Sequence, residues 1–348
     1  MTLDQPDSAE SEAVPAGAAT AARGRARRWL RRTVMVIAAS TVAVTAFSFG
    51  YNAATPDRAA APIGSAYVQT GDISTRYRQW GDKGTPIVLV HGFIESADTW
   101  QYVAARLAAA GHRVYALDLD GFGYTHRVGP FDLDHQTSQL LEFITALHLE
   151  RPVVVGHSSG AAIAAAATLR NPPAVGGLMF LDGDALATGA GSRSPLTHMF
   201  IEPYRTTLLR LAVRSDTLVE TVYRKACGPG CPKLDAAGID QWRRPLQVPG
   251  AEPALWAMLT LGVPGLPAAR LAELATMPLP KSVVFGAQDS VFTSNAPTQT
   301  AEQIGAGTPT VIPGAAHLTP VNSPTLVATA ILALADRTTS DHQSPGGH

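Results

Sequence analysis

From Ala66 to Trp80 polar and apolar residues alternate, and Thr70-Gly71-Asp72 interrupts them, which predicts two strands joined by a tight turn. Pro86-Ile87-Val88-Leu89-Val90 is apolar without alternation, the pattern of a strand covered on both faces. The apolar spacing then lengthens through Trp100, Val103, Leu107 and Ala110, a helix, before Val114-Tyr115-Ala116-Leu117 gives the next strand. A helix through Leu140, Leu141, Ile144 and Leu147 leads to the β-branched run Val153-Val154-Val155. An alanine-rich helix follows residue 160, and Gly177 to Leu181 is another strand. Strands alternating with helices at this spacing predict an α/β fold with a doubly wound, mostly parallel sheet.

Between Ala185 and about Pro278 the alternation stops. Residues 200–221 and 253–274 carry apolar side chains at helical spacing (Leu208, Leu211 and Leu218; Leu255, Met258 and Leu261). They predict a helical cap, residues 186–276, inserted into a domain spanning residues 65–336. The sheet resumes at Ser282 to Gly286, followed by an amphipathic segment at 298–304, a strand at 308–312 and a last helix over 323–335. Residues 337–348 read as a disordered tail.

The first 64 residues follow different rules. Residues 1–22 hold four acids, no base and little that can be buried, and with the six arginines between Arg23 and Arg32 they form a disordered cytoplasmic tail, residues 1–32. Residues 33–51 are uncharged and mostly Val, Ala, Ile and Phe, near the minimum length for a membrane span. The arginines beside them place the N-terminus in the cytoplasm and everything after residue 64 outside it, as a single-pass cell-membrane protein. Cleavage of the segment as a signal peptide, releasing a secreted domain, is the alternative; small residues abound at 53–54 and 59–61, but Pro62 sits badly after a cut at Ala61. Arg31-Arg32-Thr33-Val34-Met35 also loosely resembles a twin-arginine export signal. Residues 52–64 read as a linker.

Composition changes this picture little. Charged residues are 16% and hydrophobic ones 46%, which suits one large core. A net charge of −1 argues against nucleic acid as a partner. The two cysteines, Cys227 and Cys231, enclose Gly-Pro-Gly; a bridge is permissible outside the cytoplasm, and two free thiols remain open. No other ligand stands close enough in sequence for a zinc site, so neither metal nor cofactor is expected.

The chemistry centres on Gly156-His157-Ser158-Ser159-Gly160, a Gly-x-Ser-x-Gly turn between a strand and a helix. Such a turn leaves room only for very small flanking residues and exposes the Ser158 hydroxyl at its tip. A serine needs a base to take its proton and an acid to orient that base. On a sheet of this kind those groups lie beyond strand ends, in the order serine, acid, histidine. Asp289 follows one later strand and His317 the next, so Ser158, Asp289 and His317 are the candidate catalytic residues. Asp182, with Asp184 beside it at the end of the preceding strand, is the alternative acid. The developing oxyanion needs backbone donors, for which the amides of Ser159 and Phe93 stand in the right places; His91 reads as structural.

The stretches HGFIESADTW (91–100), DLDGFGYT (118–125), GHSSG (156–160), FGAQD (285–289) and GAAH (314–317) resemble those of the α/β-hydrolase superfamily, over residues 65–336. Within it the chain resembles the capped branch that includes epoxide hydrolases, haloalkane dehalogenases, C–C bond hydrolases and esterases. The first two carry an aspartate at the elbow, where this chain has Ser158. The resemblance therefore implies a serine hydrolase that cleaves a small apolar ester or related acyl compound through an acyl-enzyme. A C–C bond hydrolase or a cofactor-free haloperoxidase-like enzyme would reuse the same triad. A non-catalytic binding module is the alternative of another class, and the presence of all three residues weighs against it. The cap should form the lid of the pocket. Trp256 and Met258, two apart on one helix, cannot both face it, and Trp256 is the expected pocket residue.

Overall fold

The computed structural model describes residues 16–187 and 201–343. The chain divides into two units, Met1–Thr55 and Pro56–His348.

The first unit is one helix, α1 (Ala16–Ala54). The expected tail and span are thus continuous from Ala16 onward: alanine and arginine are strong helix formers, and no proline intervenes before Pro56. Residues 1–15 of that expected tail lie outside the described residues. From Gly24 to Ala54 the helix is long and apolar enough to cross a membrane. The hydroxyls of Thr33, Thr41 and Thr45 donate to the carbonyls of Trp29, Ile37 and Thr41, so these polar groups need no water.

The second unit is built on an eight-stranded sheet of order β1-β2-β4-β3-β5-β6-β7-β8. The hairpin β1 (Ala66–Thr70) and β2 (Ile73–Trp80) turns at Gly71, whose φ of 58° favours glycine. β2 runs antiparallel to β4 (Arg113–Leu117). The remaining strands, β3 (Pro86–Val90), β5 (Val153–His157), β6 (Gly177–Leu181), β7 (Lys281–Gly286) and β8 (Thr310–Ile312), run parallel.

Every residue of β3, β5 and β6 is buried, which explains their unbroken apolar runs. Alternate residues serve opposite faces. Val88, Val90, Val154 and Phe180 pack with α3 (Leu133–Ala146) and α4 (Gly160–Arg170). Ile87, Leu89, Val155 and Leu181 pack with α2 (Gln101–Ala109) and the C-terminal helix (Pro324–Gln343) on the other side. That last helix continues through residues 337–343, where a disordered tail was expected; 344–348 lie outside the described residues.

The cap differs from its two expected helices. It contains α5 (Tyr204–Val213), α6 (Asp216–Cys227), α7 (Ala236–Arg243), α8 (Ala251–Leu261) and α9 (Ala268–Ala272). Ser215 splits the first segment by capping α6, its hydroxyl accepting from the Leu218 amide at 3.3 Å. Gly262 ends α8 with φ 87°, and Pro264 and Pro267 keep the chain from resuming it at once. Asp235 caps α7, which the sequence pattern did not mark because Gly238 dilutes its apolar face. Residues 188–200, part of the expected cap, lie outside the described residues.

Cys227 and Cys231 are joined in a disulfide at the end of α6. Its neighbour Ala226 accepts a hydrogen bond from the Leu318 amide at 3.1 Å, and the Asn322 side chain donates to the Cys227 carbonyl at 3.2 Å. The cap is thereby fixed to the segment that follows β8.

Candidate active site

Four strand ends converge on Ser158. At the end of β5 the backbone enters Ser158 with φ 52°, a left-handed conformation rare for serine, and its amide donates to the Leu181 carbonyl at 2.9 Å. The turn closes because its neighbours lack side chains. A Cβ on Gly156 would lie 2.4 Å from the Gly160 carbonyl oxygen, and one on Gly160 would lie 2.6 Å from the carbonyl oxygens of Val90 and His91. Gly92 shares the constraint, since its Cβ would fall 2.9 Å from that of Ser158. Strand β3 therefore runs its following loop directly past the elbow.

That loop brings the Phe93 amide beside the start of α4, where the Ser159 amide stands. Among the described residues neither amide is bonded to another protein group. Both residues line a cavity of about 380 Å³ together with Ser158. The N-terminal end of α4 adds positive potential there.

His317 reaches the same point from the loop after β8. Its Nδ1 donates to Asp289 Oδ2 at 2.8 Å, and its Nε2 lies 3.0 Å from Ser158 Oγ. Asp289 is held in turn by the Val291 amide, which donates to Oδ1 at 2.8 Å. The three candidates are thus in contact, in the order expected of a nucleophile, base and orienting acid.

Asp182, the alternative acid, does not reach the His317 ring. Its Oδ1 accepts from the Gly286 amide at 2.8 Å and its Oδ2 from the Thr319 hydroxyl, so the fully buried carboxylate ties β6 to β7 and to the segment after His317. Asp184 lines the cavity and accepts from the Leu186 amide at 3.0 Å; burial pushes its carboxyl up. His91 is structural, as expected. Its Nδ1 donates to the Gly92 carbonyl at 2.7 Å while its Nε2 accepts from the Leu119 amide at 3.0 Å, and burial keeps it neutral by lowering its pKa.

Among the described residues, those that line the cavity do not include Trp256. The inward side of α8 is Ala251, Ala254, Leu255 and Met258, at helical spacing, with Met258 lying against Gly121. Trp256 is turned off that side, its ring 5.2 Å from the Arg205 guanidinium. The apolar wall comes instead from Phe93, Leu186, Val263, Pro264, Val291 and Phe292. Val291 and Phe292 follow β7 in a short loop whose pattern carried no helical or strand signal.

Two buried ionisable residues beside Ser158 have no signal of their own in the sequence pattern. His157 Nδ1 lies 2.9 Å from Glu95 Oε1 and its Nε2 lies 2.8 Å from the His317 carbonyl oxygen. Glu95 sits in HGFIESADTW and His157 in GHSSG, motifs that drew attention for other residues. Among the described residues no group of three or more His, Cys, Asp or Glu side chains is arranged to hold a metal ion.

Residues 87–330 match the family model described as "Alpha/beta hydrolase family". Epoxide hydrolase A of Mycobacterium tuberculosis is 33% identical over 123 residues, 34% of this chain and 38% of that protein. The match therefore spans well under two thirds of that relative. Pimeloyl-[acyl-carrier protein] methyl ester esterase of Edwardsiella ictaluri is 27% identical over 72% of this chain and 93% of its own length. The solved structure of a thermophilic esterase from Thermogutta terrifontis superposes with a TM-score of 0.62 at 21% identity, over 79% of this chain and 98% of that one.

Proposed function

The chain belongs to the alpha/beta hydrolase family, and from that premise we propose that it is a serine hydrolase cleaving small apolar carboxylic esters through Ser158, His317 and Asp289. The observation that carries this reading is the His317 imidazole held between Ser158 Oγ, at 3.0 Å, and Asp289 Oδ2, at 2.8 Å. With Nδ1–H donated to Asp289, the lone pair of Nε2 faces the serine hydroxyl. As Oγ bonds to the acyl carbon, its proton passes to Nε2 and the carbonyl π electrons move onto oxygen. That oxyanion is received by the Phe93 and Ser159 amides. The tetrahedral species collapses by breaking the bond to the leaving alkoxide, which takes the Nε2 proton and departs as an alcohol. Water then attacks the acyl-Ser158 ester by the same proton path, releasing the carboxylic acid and restoring the hydroxyl.

The cavity wall supports an apolar, uncharged substrate. Phe93, Leu186, Val263, Val291 and Phe292 offer only apolar contact, and the Asp184 carboxyl at the wall disfavours phosphates and carboxylates. A fluorophosphonate probe tests the assignment: the wild-type protein should be labelled once, at Ser158, and Ser158→Ala not at all. A folded wild type that resists the probe, or a labelled Ser158→Ala, overturns it.

The same reading makes α1 a membrane anchor with the hydrolase unit on the extracytoplasmic side. The arginine cluster ahead of the apolar stretch supports that orientation, and the Cys227–Cys231 bridge suits an oxidising compartment. Protease added to intact cells should digest the hydrolase unit, whereas protection until lysis refutes the orientation.

A further inference from the structure

His157 lies immediately before Ser158 and is completely buried, yet each of its ring nitrogens has an oxygen within 2.9 Å. Nε2 is 2.8 Å from the His317 carbonyl, an atom that only accepts, so Nε2 carries a hydrogen. Nδ1 is 2.9 Å from Glu95 Oε1, and the Asp182 carboxylate stands 3.5 Å from Nε2. The Nδ1–Glu95 approach is an ion-pair contact and not an aligned hydrogen bond, and two carboxylates this close to a ring whose Nε2 is already protonated favour its cation.

From this geometry we infer that His157 is a positioning residue: its imidazolium sets the backbone of His317 and, through Glu95, the loop that bears the Phe93 amide. The inference rests on the serine-hydrolase reading of Ser158 and adds to it a single buried charge that aligns base and oxyanion donors together. The connectivity is direct. Glu95 lies two residues from Phe93, and its amide donates back to the Gly92 carbonyl at 3.3 Å. Asp182, the second anion near the ring, binds the Gly286 amide three residues ahead of Asp289 and the Thr319 hydroxyl two residues past His317. Movement at His157 is thus felt in all three loops that serve Ser158.

The charges around it favour the cation. The ionisable groups facing His157 are Glu95 from the loop after β3, Asp182 at the end of β6, His91 at the end of β3 and the His317 ring, 5.2 Å away between centroids. Burial opposes the charge, but Glu95 and Asp182 outweigh it and hold His157 well above the usual histidine value. Glu95 is correspondingly held below the usual carboxylate range, the His157 charge outweighing the cost of its own burial.

Three variants and one probe test the inference. His157→Ala leaves two buried carboxylates facing a void, so it is paired with His157→Gln, whose side-chain amide can still donate to the His317 carbonyl, and with Glu95→Gln, which keeps shape and removes charge. With a short p-nitrophenyl ester, loss of a hydrogen bond from a charged donor should lower kcat on the order of 10- to 100-fold in His157→Ala with KM nearly unchanged, and His157→Gln should recover part of it. In Glu95→Gln, kcat relative to wild type at the same pH should fall by about tenfold as pH rises through the ordinary histidine range, near 6.5. Nitrogen-15 spectra of wild type should show the His157 ring doubly protonated across that range. If wild type is labelled at Ser158 while folded His157→Gln and Glu95→Gln keep wild-type kcat and pH profile, the inference is overturned. If the probe fails on wild type but these variants shift the His317 ring resonances, the hydrolase reading falls and the positioning role stands.

Discussion

The carboxyl edge of the sheet and the cap enclose the same cavity by opposite means. At the edge, backbone touches backbone: glycine is required at 156 and 160 because a Cβ at either would meet backbone atoms within 3.0 Å. In the cap, side chains and ion pairs such as Arg210–Glu252 join the helices, backbone bonds to the rest of the unit being made at junctions such as Ala226–Leu318 and Leu266–Ala185, and Leu208, Leu211 and Leu261 are each more than two-fifths exposed. The difference separates two requirements. Chemistry needs donors and nucleophile fixed to within tenths of an ångström, which only a close-packed backbone supplies. Specificity needs a wall whose side chains can change without disturbing that frame.

The largest effect should come from the edge. Ser158→Ala and His317→Ala should each lower kcat/KM for a reactive ester on the order of 10⁴- to 10⁶-fold, and the double variant should lose little more, because the pair acts as a unit. Additive losses would mean the two do not share a step. Next, Gly160→Ala should destabilise the hydrolase unit by more than about 3 kcal/mol in urea unfolding, or prevent folding, since its methyl would strike two backbone oxygens. A mild loss would show that the edge yields as the cap does.

Changes in the cavity wall should be gentler and more selective. Phe292→Ala and Val263→Ala are expected to shift the preference between short and long acyl chains by about tenfold with little loss of stability. Trp256→Ala should leave that preference alone and cost about 1 kcal/mol through the lost contact with Arg205. A Trp256→Ala variant with altered chain-length preference would return that residue to the wall.

The smallest effect is a pH dependence of stability. The His157 pKa lies above its ordinary 6.5, so its contribution is complete below that value and fades as pH rises through the folded one. Glu95, held below its ordinary 4.5, contributes above that value and loses its effect as acid protonates it in the fold. Asp182, pushed up from 3.8 by burial, works in the opposite sense and favours the fold most at low pH. Urea midpoints of wild type and Glu95→Gln should therefore differ most from neutral to mildly alkaline pH, where the wild-type ring is charged and the variant's is not. Parallel curves would disprove the coupling.

How much of this was legible in the sequence follows from the same contrast. Strands with both faces covered announce themselves as apolar runs, and the elbow announces itself through paired glycines, because one physical constraint fixes several consecutive residues. Asp289 and His317 are candidates by their places after β7 and β8, not by their neighbours. The cap was harder. Its apolar residues serve helix packing, cavity wall and surface alike, so Trp256 looked like a wall residue when Val263 and Phe292, in loops without periodicity, fill that place. The cluster of Glu95, His157 and Asp182 left no local signal either, since three residues far apart in sequence meet only once the strand ends converge.

The disulfide of the cap closes a ring of only five residues, Cys227 to Cys231. Cross-linking removes conformational freedom from the unfolded chain by a constant plus a part that grows with the logarithm of the loop it closes, so this ring contributes about 2 kcal/mol where a loop of a hundred residues would contribute about 4.7 kcal/mol. It is a weak staple for the fold. What it does hold is the end of α6, whose Ala226 carbonyl receives the Leu318 amide one residue beyond His317. Opening the ring therefore bears less on whether the protein is folded than on how firmly the segment after β8, which carries His317, is held against the cap.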